Sequence, residues 1–254
     1  MHDKPVALVT GANRGIGQQI AKDLAAHGLT VLVGSRNLEN GERVAKSIEG
    51  DARAIQLDVS DPASIAAAAE RIGSEFGRLD ALVNNAAINH ASPADGSVDD
   101  RPFEEIVAAG KMSVVSHDEV RAVFETNVFG IIALTQAMLP FLREAPMARV
   151  VNVTSTGGSL TLNADPTGEH RERLGIYSVS KAAANAVTIA FAAELEAAGI
   201  KVNAVCPGFT ATDLNEFRGI RTVEQGASEP VRLALIGPDG PTGTFSNEDG
   251  PIPW

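Results

Sequence analysis

A chain of 254 residues with 44% hydrophobic content and a formal charge of −11 has the size of one α/β domain with an ample core. So acidic a balance argues against nucleic acid as a partner, since backbone binding needs clustered Lys and Arg. One cysteine excludes an intramolecular disulfide and a cysteine metal cluster, and the five histidines, at 2, 27, 90, 117 and 170, show no metal-ligand spacing.

No apolar run in the sequence approaches the roughly 18 residues of a membrane span. The apolar segment Pro5-Val6-Ala7-Leu8-Val9 comes too early to leave room for a signal peptide. The expectation is a soluble, cytoplasmic protein without a metal, folded as a single domain over 1–254.

Short β-rich runs alternate with alanine-rich stretches of helical period, which predicts βαβ units and a parallel sheet. The first strand, 6–9, leads into Thr10-Gly11-Ala12-Asn13-Arg14-Gly15-Ile16-Gly17 and a helix over 16–28. Strand, glycine turn and helix together supply what a diphosphate needs, close backbone approach and free N–H groups at a helix N-terminus. Gly11, Asn13, Arg14, Gly15, Ile16 and Gly17 are therefore candidate cofactor-binding residues. The spacing G-x-x-x-G-x-G departs from the G-x-G-x-x-G of many dinucleotide folds.

After the second strand, 30–33, the chain reads Gly34-Ser35-Arg36-Asn37. An acidic residue here would bind the ribose 2′-hydroxyl of NAD, whereas arginine accommodates the 2′-phosphate of NADP. Arg36, with Arg14 as a second cation, predicts NADP(H) over NAD(H). The alternative is that Arg36 is a surface charge answered by Glu39.

A helix over 38–48 and a strand over 52–57 follow, and then Asp58 and Val59 point at the same crevice, where Asp58 is placed to accept the adenine amino group. Asp61-Pro62 reads as a cap and first-turn proline for a helix over 62–76. The fourth strand, 79–83, ends in Asn84-Asn85-Ala86-Ala87, whose amides either touch the cofactor or brace the turn. Two long connections, 90–117 and 157–175, leave carboxyl ends of strands and are expected to wall a substrate site, the alternative being solvated insertions.

Between them, a helix over 118–142 carries Asn127, a poor helix former at mid-helix and a candidate to hold a water leading from Lys181 to solvent. Ser155 follows the strand 149–154 and would present a hydroxyl to a substrate oxygen; without a partnered His or a G-x-S-x-G elbow it is no nucleophile. In the helix over 177–198, Tyr177 and Lys181 lie four apart and share a face. An ammonium about 4 Å from a phenol at an effective dielectric of 20 contributes roughly 4 kcal/mol, about three pKa units before desolvation opposes it. That pairing predicts a phenol tuned for proton exchange with a carbonyl or alcohol oxygen. Cys206 ends the strand 201–206 as a small buried residue. A last strand, 243–246, completes a seven-stranded parallel sheet in a doubly wound Rossmann-type domain.

The glycine motif at 10–17, Asn84 to Ala87 matching N-N-A-G with alanine for glycine, and the set Asn127, Ser155, Tyr177 and Lys181 resemble the short-chain dehydrogenase/reductase family, over nearly the whole chain. The resemblance implies Tyr177 as acid/base, Lys181 also on the nicotinamide ribose, Ser155 positioning the carbonyl and Asn127 supporting a proton relay. It further implies that Pro207-Gly208-Phe209-Thr210 closes over the nicotinamide, which adds Pro207, Gly208 and Thr210 to the cofactor residues beside Asp58, Val59, Asn85 and Ala86. The tail at 221–227 and 243–245 is similar to the carbonyl reductase branch, whose members reduce ketones and aldehydes with NADPH. Family members commonly pair through two long helices, here 118–142 and 177–198, so a homodimer or homotetramer is expected. The competing readings are an NAD-dependent alcohol dehydrogenase of the same family and a non-catalytic NADP(H)-sensing regulatory protein.

Overall fold

The computed structural model describes residues 4–91, 101–168 and 171–254, so 92–100 and 169–170, parts of the two long connections, lie outside the described residues along with 1–3. Strands β1 (Val6–Val9), β2 (Thr30–Ser35), β3 (Ala52–Gln56), β4 (Ala81–Asn84), β5 (Arg149–Val153), β6 (Lys201–Val205) and β7 (Phe245–Asn247) pair in parallel in the order β3-β2-β1-β4-β5-β6-β7. The seven parallel strands are those the pattern predicts. An eighth, β8 (Gly250–Pro251), adds antiparallel to β7 through a turn closed by Asp249 N–H on Asn247 Oδ1 at 3.0 Å. Two residues are too few to leave a periodic signal.

β1 is buried on both faces, and its alternation splits the core in two. Ala7 and Val9 face Ile20 and Leu24 of α1 (Gly15–Ala26), Val44 of α2 (Leu38–Ser47) and Val231 of α9 (Val223–Ala234). Val6 and Leu8 face Ile65 and Ile72 of α3 (Pro62–Glu75), Leu134 and Met138 of α6 (Gly130–Arg143) and Phe191 and Leu195 of α8 (Ile176–Leu195). Each such side chain contributes about 2 kcal/mol. The expected cap holds, with Asp61 accepting from Ala63 N–H at 2.9 Å before Pro62, and Gly199 closes the turn that follows α8 at φ 72°.

Within the connection 90–117 a short helix forms, α4 (Phe103–Ala109). The predicted helix over 118–142 is a rod in two pieces, α5 (His117–Phe124) and α6, joined by a π-helical turn over Glu125–Phe129 in which Gly130 N–H reaches back to Glu125 O. The rod and the α8 helix are long and apolar enough to cross a bilayer, yet each lays its apolar stripe on the sheet. In the connection 157–175 lie 3₁₀ turns at Thr156–Gly158 and Arg171–Arg173, with α7 (Leu160–Ala164) between them.

Candidate active site

At the carboxyl edge of the sheet, β1 and β4 are neighbours whose following connections run to opposite sides, and the crevice this opens is where such sheets bind ligands. A cleft of about 600 Å³ lies there. The glycine turn forms its floor. Gly11 and Gly15 hold φ of 61° and 56°, a region that favours glycine. Gly17 has ordinary helical backbone, but a Cβ on it would stand 2.4 Å from Asn85 Nδ2 and 2.5 Å from Gly11 O. No side chain caps α1, whose first residue follows Arg14 in extended conformation. A tight backbone cradle at an uncapped helix N-terminus fits a diphosphate, and Asn13, Arg14 and Ile16 line the same cleft.

The two asparagines at the end of β4 turn out to be braces. Asn85 Nδ2 donates to Thr10 O at 2.9 Å and Gly11 O at 3.2 Å, while the N–H groups of Asn85 and Ala86 both donate to Thr10 Oγ1 at 2.9 Å. Asn84, buried, donates to Asn152 Oδ1 at 2.8 Å and Thr135 Oγ1 at 3.3 Å. Asn85 and Ala86 still face the cleft, as do Arg36 and Asp58. Arg36 is exposed and makes no ion pair with any described residue, Glu39 included. Asp58 Oδ1 accepts from Ser60 N–H at 2.9 Å and Ser60 Oγ at 2.6 Å.

Other predicted residues stand behind the wall. Val59 packs against α6, where a Cβ on Gly130 would come within 2.8 Å of Val59 O. Pro207 lines the cleft, but Gly208 turns away at φ 74° and Thr210 is buried, its Oγ1 donating to Pro207 O at 3.0 Å. Cys206 is buried as expected, its Sγ accepting from Thr156 N–H at 3.2 Å and Gly208 N–H at 3.4 Å.

Tyr177 lies in the first turn of α8, half-buried and facing the cleft, with Lys181 one turn on and buried. The ammonium Nζ is 5.5 Å from the centre of the phenol ring and donates to Val153 O at 2.9 Å. Burial pulls the Lys181 amine down to about 8. For the phenol, burial holds the pKa above the ordinary value, with the neighbouring Cys206 pushing the same way, opposite to the lowering expected from the sequence. The reason is geometric. The ammonium sits over the ring and is tied to β5, and the surroundings that strip water from Lys181 strip it from the phenol too.

Ser155, just past β5, accepts Gly157 N–H on its Oγ at 3.1 Å. A Cβ on Gly157 would lie 3.4 Å from Ser155 Oγ and 3.1 Å from Ser178 Oγ, which places the serine hydroxyl at the start of α8. Asn127 occupies the centre of the π-helical turn, 1% exposed. Its Oδ1 accepts Ile88 N–H at 2.9 Å, and its Nδ2 donates to Ile88 O at 2.8 Å and Ser180 Oγ at 3.0 Å. The amide is thus committed to protein, and its direct effect is to tie the chain after β4 to the tyrosine helix. π-turns recur at functional sites for this kind of re-aiming.

Sequence reasoning missed the wall formed by Thr212, Asp213, Leu214 and Glu216 after β6; opposite it, His90 and Phe103 belong to the connection 90–117 expected to wall the site, whereas the described residues of 157–175 do not line this cleft. The available signal was the cap pattern Thr212-Asp213-Leu214-Asn215, which forms a reciprocal capping box.

Comparison with known proteins agrees with this geometry. The model of the short chain dehydrogenase family matches residues 5–220. A short-chain dehydrogenase of Penicillium roqueforti is 36% identical over 92% of this chain and 90% of its own length, and (+)-neomenthol dehydrogenase of Arabidopsis thaliana is 34% identical over 94% of each. Among solved structures, salutaridine reductase from Papaver somniferum matches with a TM-score of 0.78 and 28% identity over 96% of this chain and all of its own. An NADPH-bound carbonyl reductase from chicken fatty liver matches with a TM-score of 0.76 and 27% identity over 99% of each chain.

Proposed function

The chain belongs to the short-chain dehydrogenase family, and from that premise we propose that it is an NADPH-dependent oxidoreductase interconverting a ketone or aldehyde with the corresponding alcohol. The observation that carries this reading is the pairing of Tyr177, facing the cleft, with Lys181, buried one turn behind it and anchored to β5. A bound nicotinamide supplies hydride. The chain supplies the proton and the geometry.

Burial keeps the Tyr177 phenol protonated at neutral pH, which suits it to donate to a carbonyl oxygen as charge develops there. Lys181, pulled down to about 8, remains largely an ammonium at neutral pH and opposes the negative charge left on the phenol after transfer. Ser155 Oγ already accepts a backbone N–H, so its own proton is directed to a second acceptor such as the substrate oxygen. Asn127 acts as a positioning residue, holding α8 through Ser180.

For the cofactor, the support is two arginines, Arg14 and Arg36, lining the same cleft, whose guanidinium groups suit a 2′-phosphate. The carbonyl reductase at 27% identity was solved with NADPH. For a homodimer or homotetramer built on the long helices, the support is Val179 and Ile189, apolar and exposed on α8; sedimentation velocity tests it.

Purified protein given NADPH and a panel of ketones and aldehydes should consume cofactor with at least one of them. Tyr177→Phe should cut kcat by roughly 100-fold or more while NADPH still binds at wild-type affinity. Arg36→Asp should reduce the preference for NADPH over NADH by about tenfold or more. Tight NADPH binding without turnover on any carbonyl would replace the enzyme reading with that of a cofactor sensor.

A further inference from the structure

Arg14 faces two competing acceptors. Its side chain is 66% exposed, and its Nε lies 3.5 Å from Asp213 Oδ2. Both side chains line the cleft that also presents Arg36. Asp213 is not there by drift, because the segment that carries it is anchored on both sides of the cleft. Thr212 packs onto the glycine turn, where a Cβ on Gly15 would meet its Cγ2 at 3.4 Å. Leu214 O accepts Asn89 Nδ2 at 2.8 Å, Glu216 Oε1 accepts Phe103 N–H at 3.0 Å, and Arg218 pairs with Glu104. Glu216 and Phe217 take φ of 52° and 59°, a left-handed conformation costly for residues with a side chain. Contacts on both walls hold that strained pair in place, and with it the carboxylate against Arg14.

We propose that Asp213 competes with the 2′-phosphate of NADP(H) for Arg14 and thereby sets how strongly the site prefers the phosphorylated cofactor. This rests on the NADPH reading above. A guanidinium in bidentate contact with a phosphate cannot also serve a carboxylate at full strength, and a carboxylate left beside the phosphate repels it. Asp213 is therefore a specificity-determining residue that weakens binding of the cofactor it faces. It leaves a cofactor without the 2′-phosphate unaffected.

The test uses cofactor fragments, so that no catalytic step enters. Isothermal titration of the whole protein with 2′,5′-ADP and with 5′-AMP, at low ionic strength, compares wild type with Asp213→Asn. The variant should bind 2′,5′-ADP about threefold tighter, the scale of an exposed ion pair, and 5′-AMP equally well. The gain should shrink in high salt. In an Arg14→Gln background the second substitution should give a clearly smaller gain, only the direct repulsion between carboxylate and phosphate being left to relieve, and the difference isolates the pairwise effect; an undiminished gain there overturns the competition for Arg14. Unchanged 2′,5′-ADP affinity in Asp213→Asn, or equal tightening of both fragments, overturns the competition. If wild type fails to distinguish 2′,5′-ADP from 5′-AMP, the NADPH reading itself falls and the competition falls with it, a result separate from the first two.

Discussion

Replacing Lys181 by methionine removes a charge that the folded chain carries at a cost. The residue is 2% exposed, its ammonium has Val153 O as a partner at 2.9 Å, and burial lowers its pKa from 10.5 to about 8. Below about pH 8 both folded and unfolded chains hold the proton, and the native state bears the full penalty of the buried charge. Between about 8 and 10.5 the unfolded chain keeps a proton that the native chain has released, so stability rises with pH across that window. Above it both forms are neutral and the penalty is gone. At 1.36 kcal/mol per pKa unit, the difference amounts to about 3 kcal/mol. Lys181→Met has a similar length and no proton to lose. Urea unfolding followed by circular dichroism, on the cofactor-free protein from neutral pH to about 10.5, should show wild type gaining about 3 kcal/mol relative to the variant. The comparison with the variant cancels every other titrating group. Parallel stability curves would refute the reasoning, because they would mean that the amine is solvated and its proton as free in the fold as in the unfolded chain.

In the proposed reaction the same amine sets the pH dependence of the rate. Carbonyl reduction should run at a constant kcat/KM up to about pH 8 and fall above it as Lys181 loses its proton; a profile flat through that range contradicts the assignment. Gly17→Ala should destabilise the fold by about 2 kcal/mol and weaken NADPH binding, because the new methyl would meet the backbone Gly11 O at 2.5 Å and only an opened turn relieves it; chemical denaturation and a fluorescence titration of NADPH read the two effects. Asn127→Ala should cost about 2 kcal/mol by stranding both backbone groups of Ile88 and one face of Ser180, and should lower kcat more than it raises KM, as steady-state kinetics would show.

Much of this was legible in the sequence because local rules agreed with the global ones. The run ending in Thr10, the glycines at 11, 15 and 17, and the helix after them carry strand, turn and helix signals within a few residues, and the structure keeps all three. What stayed hidden has specific physical causes. Helix α9 contains Gly226 and Pro230, both helix breakers by propensity, yet burial of Ala227, Val231 and Leu233 holds it together. Gly226 is there because a Cβ would stand 2.6 Å from Thr210 Oγ1, a contact no local window records. The π-turn at Glu125–Phe129 shifts the helical period too slightly to be read from residue spacing, and the meeting of Arg14 with Asp213 joins parts of the chain that are far apart in sequence. The sign of the Tyr177 shift failed for a related reason. Charge proximity can be inferred from a spacing of four, but loss of water depends on what the rest of the chain packs around the pair.

The inward face of α8 explains why that pair stays in position. Over its first turns the buried residues include four polar ones that each bond a different neighbour. Ser180 receives Asn127 from the π-turn, Lys181 donates to Val153 O of β5, Asn185 donates to Gly158 O at 3.2 Å, and Thr188 Oγ1 receives Asn152 Nδ2 at 2.9 Å. Beyond them the helix adds Phe191, Ala192 and Leu195 to the core. Apolar contacts resist separation but tolerate sliding, whereas hydrogen bonds lose most of their value within a few tenths of an ångström and tens of degrees. Four directional bonds, with the helix backbone pressed so close to Gly158 that a Cβ there would stand 2.6 Å from the Lys181 carbonyl carbon, fix the rotation and register of α8 as packing alone would not. Tyr177 inherits that fixity at the end of the helix nearest the cleft. The polar residues buried along α8 thus hold the phenol to one position, which the proposed reaction, sensitive to misplacement on the scale of an ångström, would require.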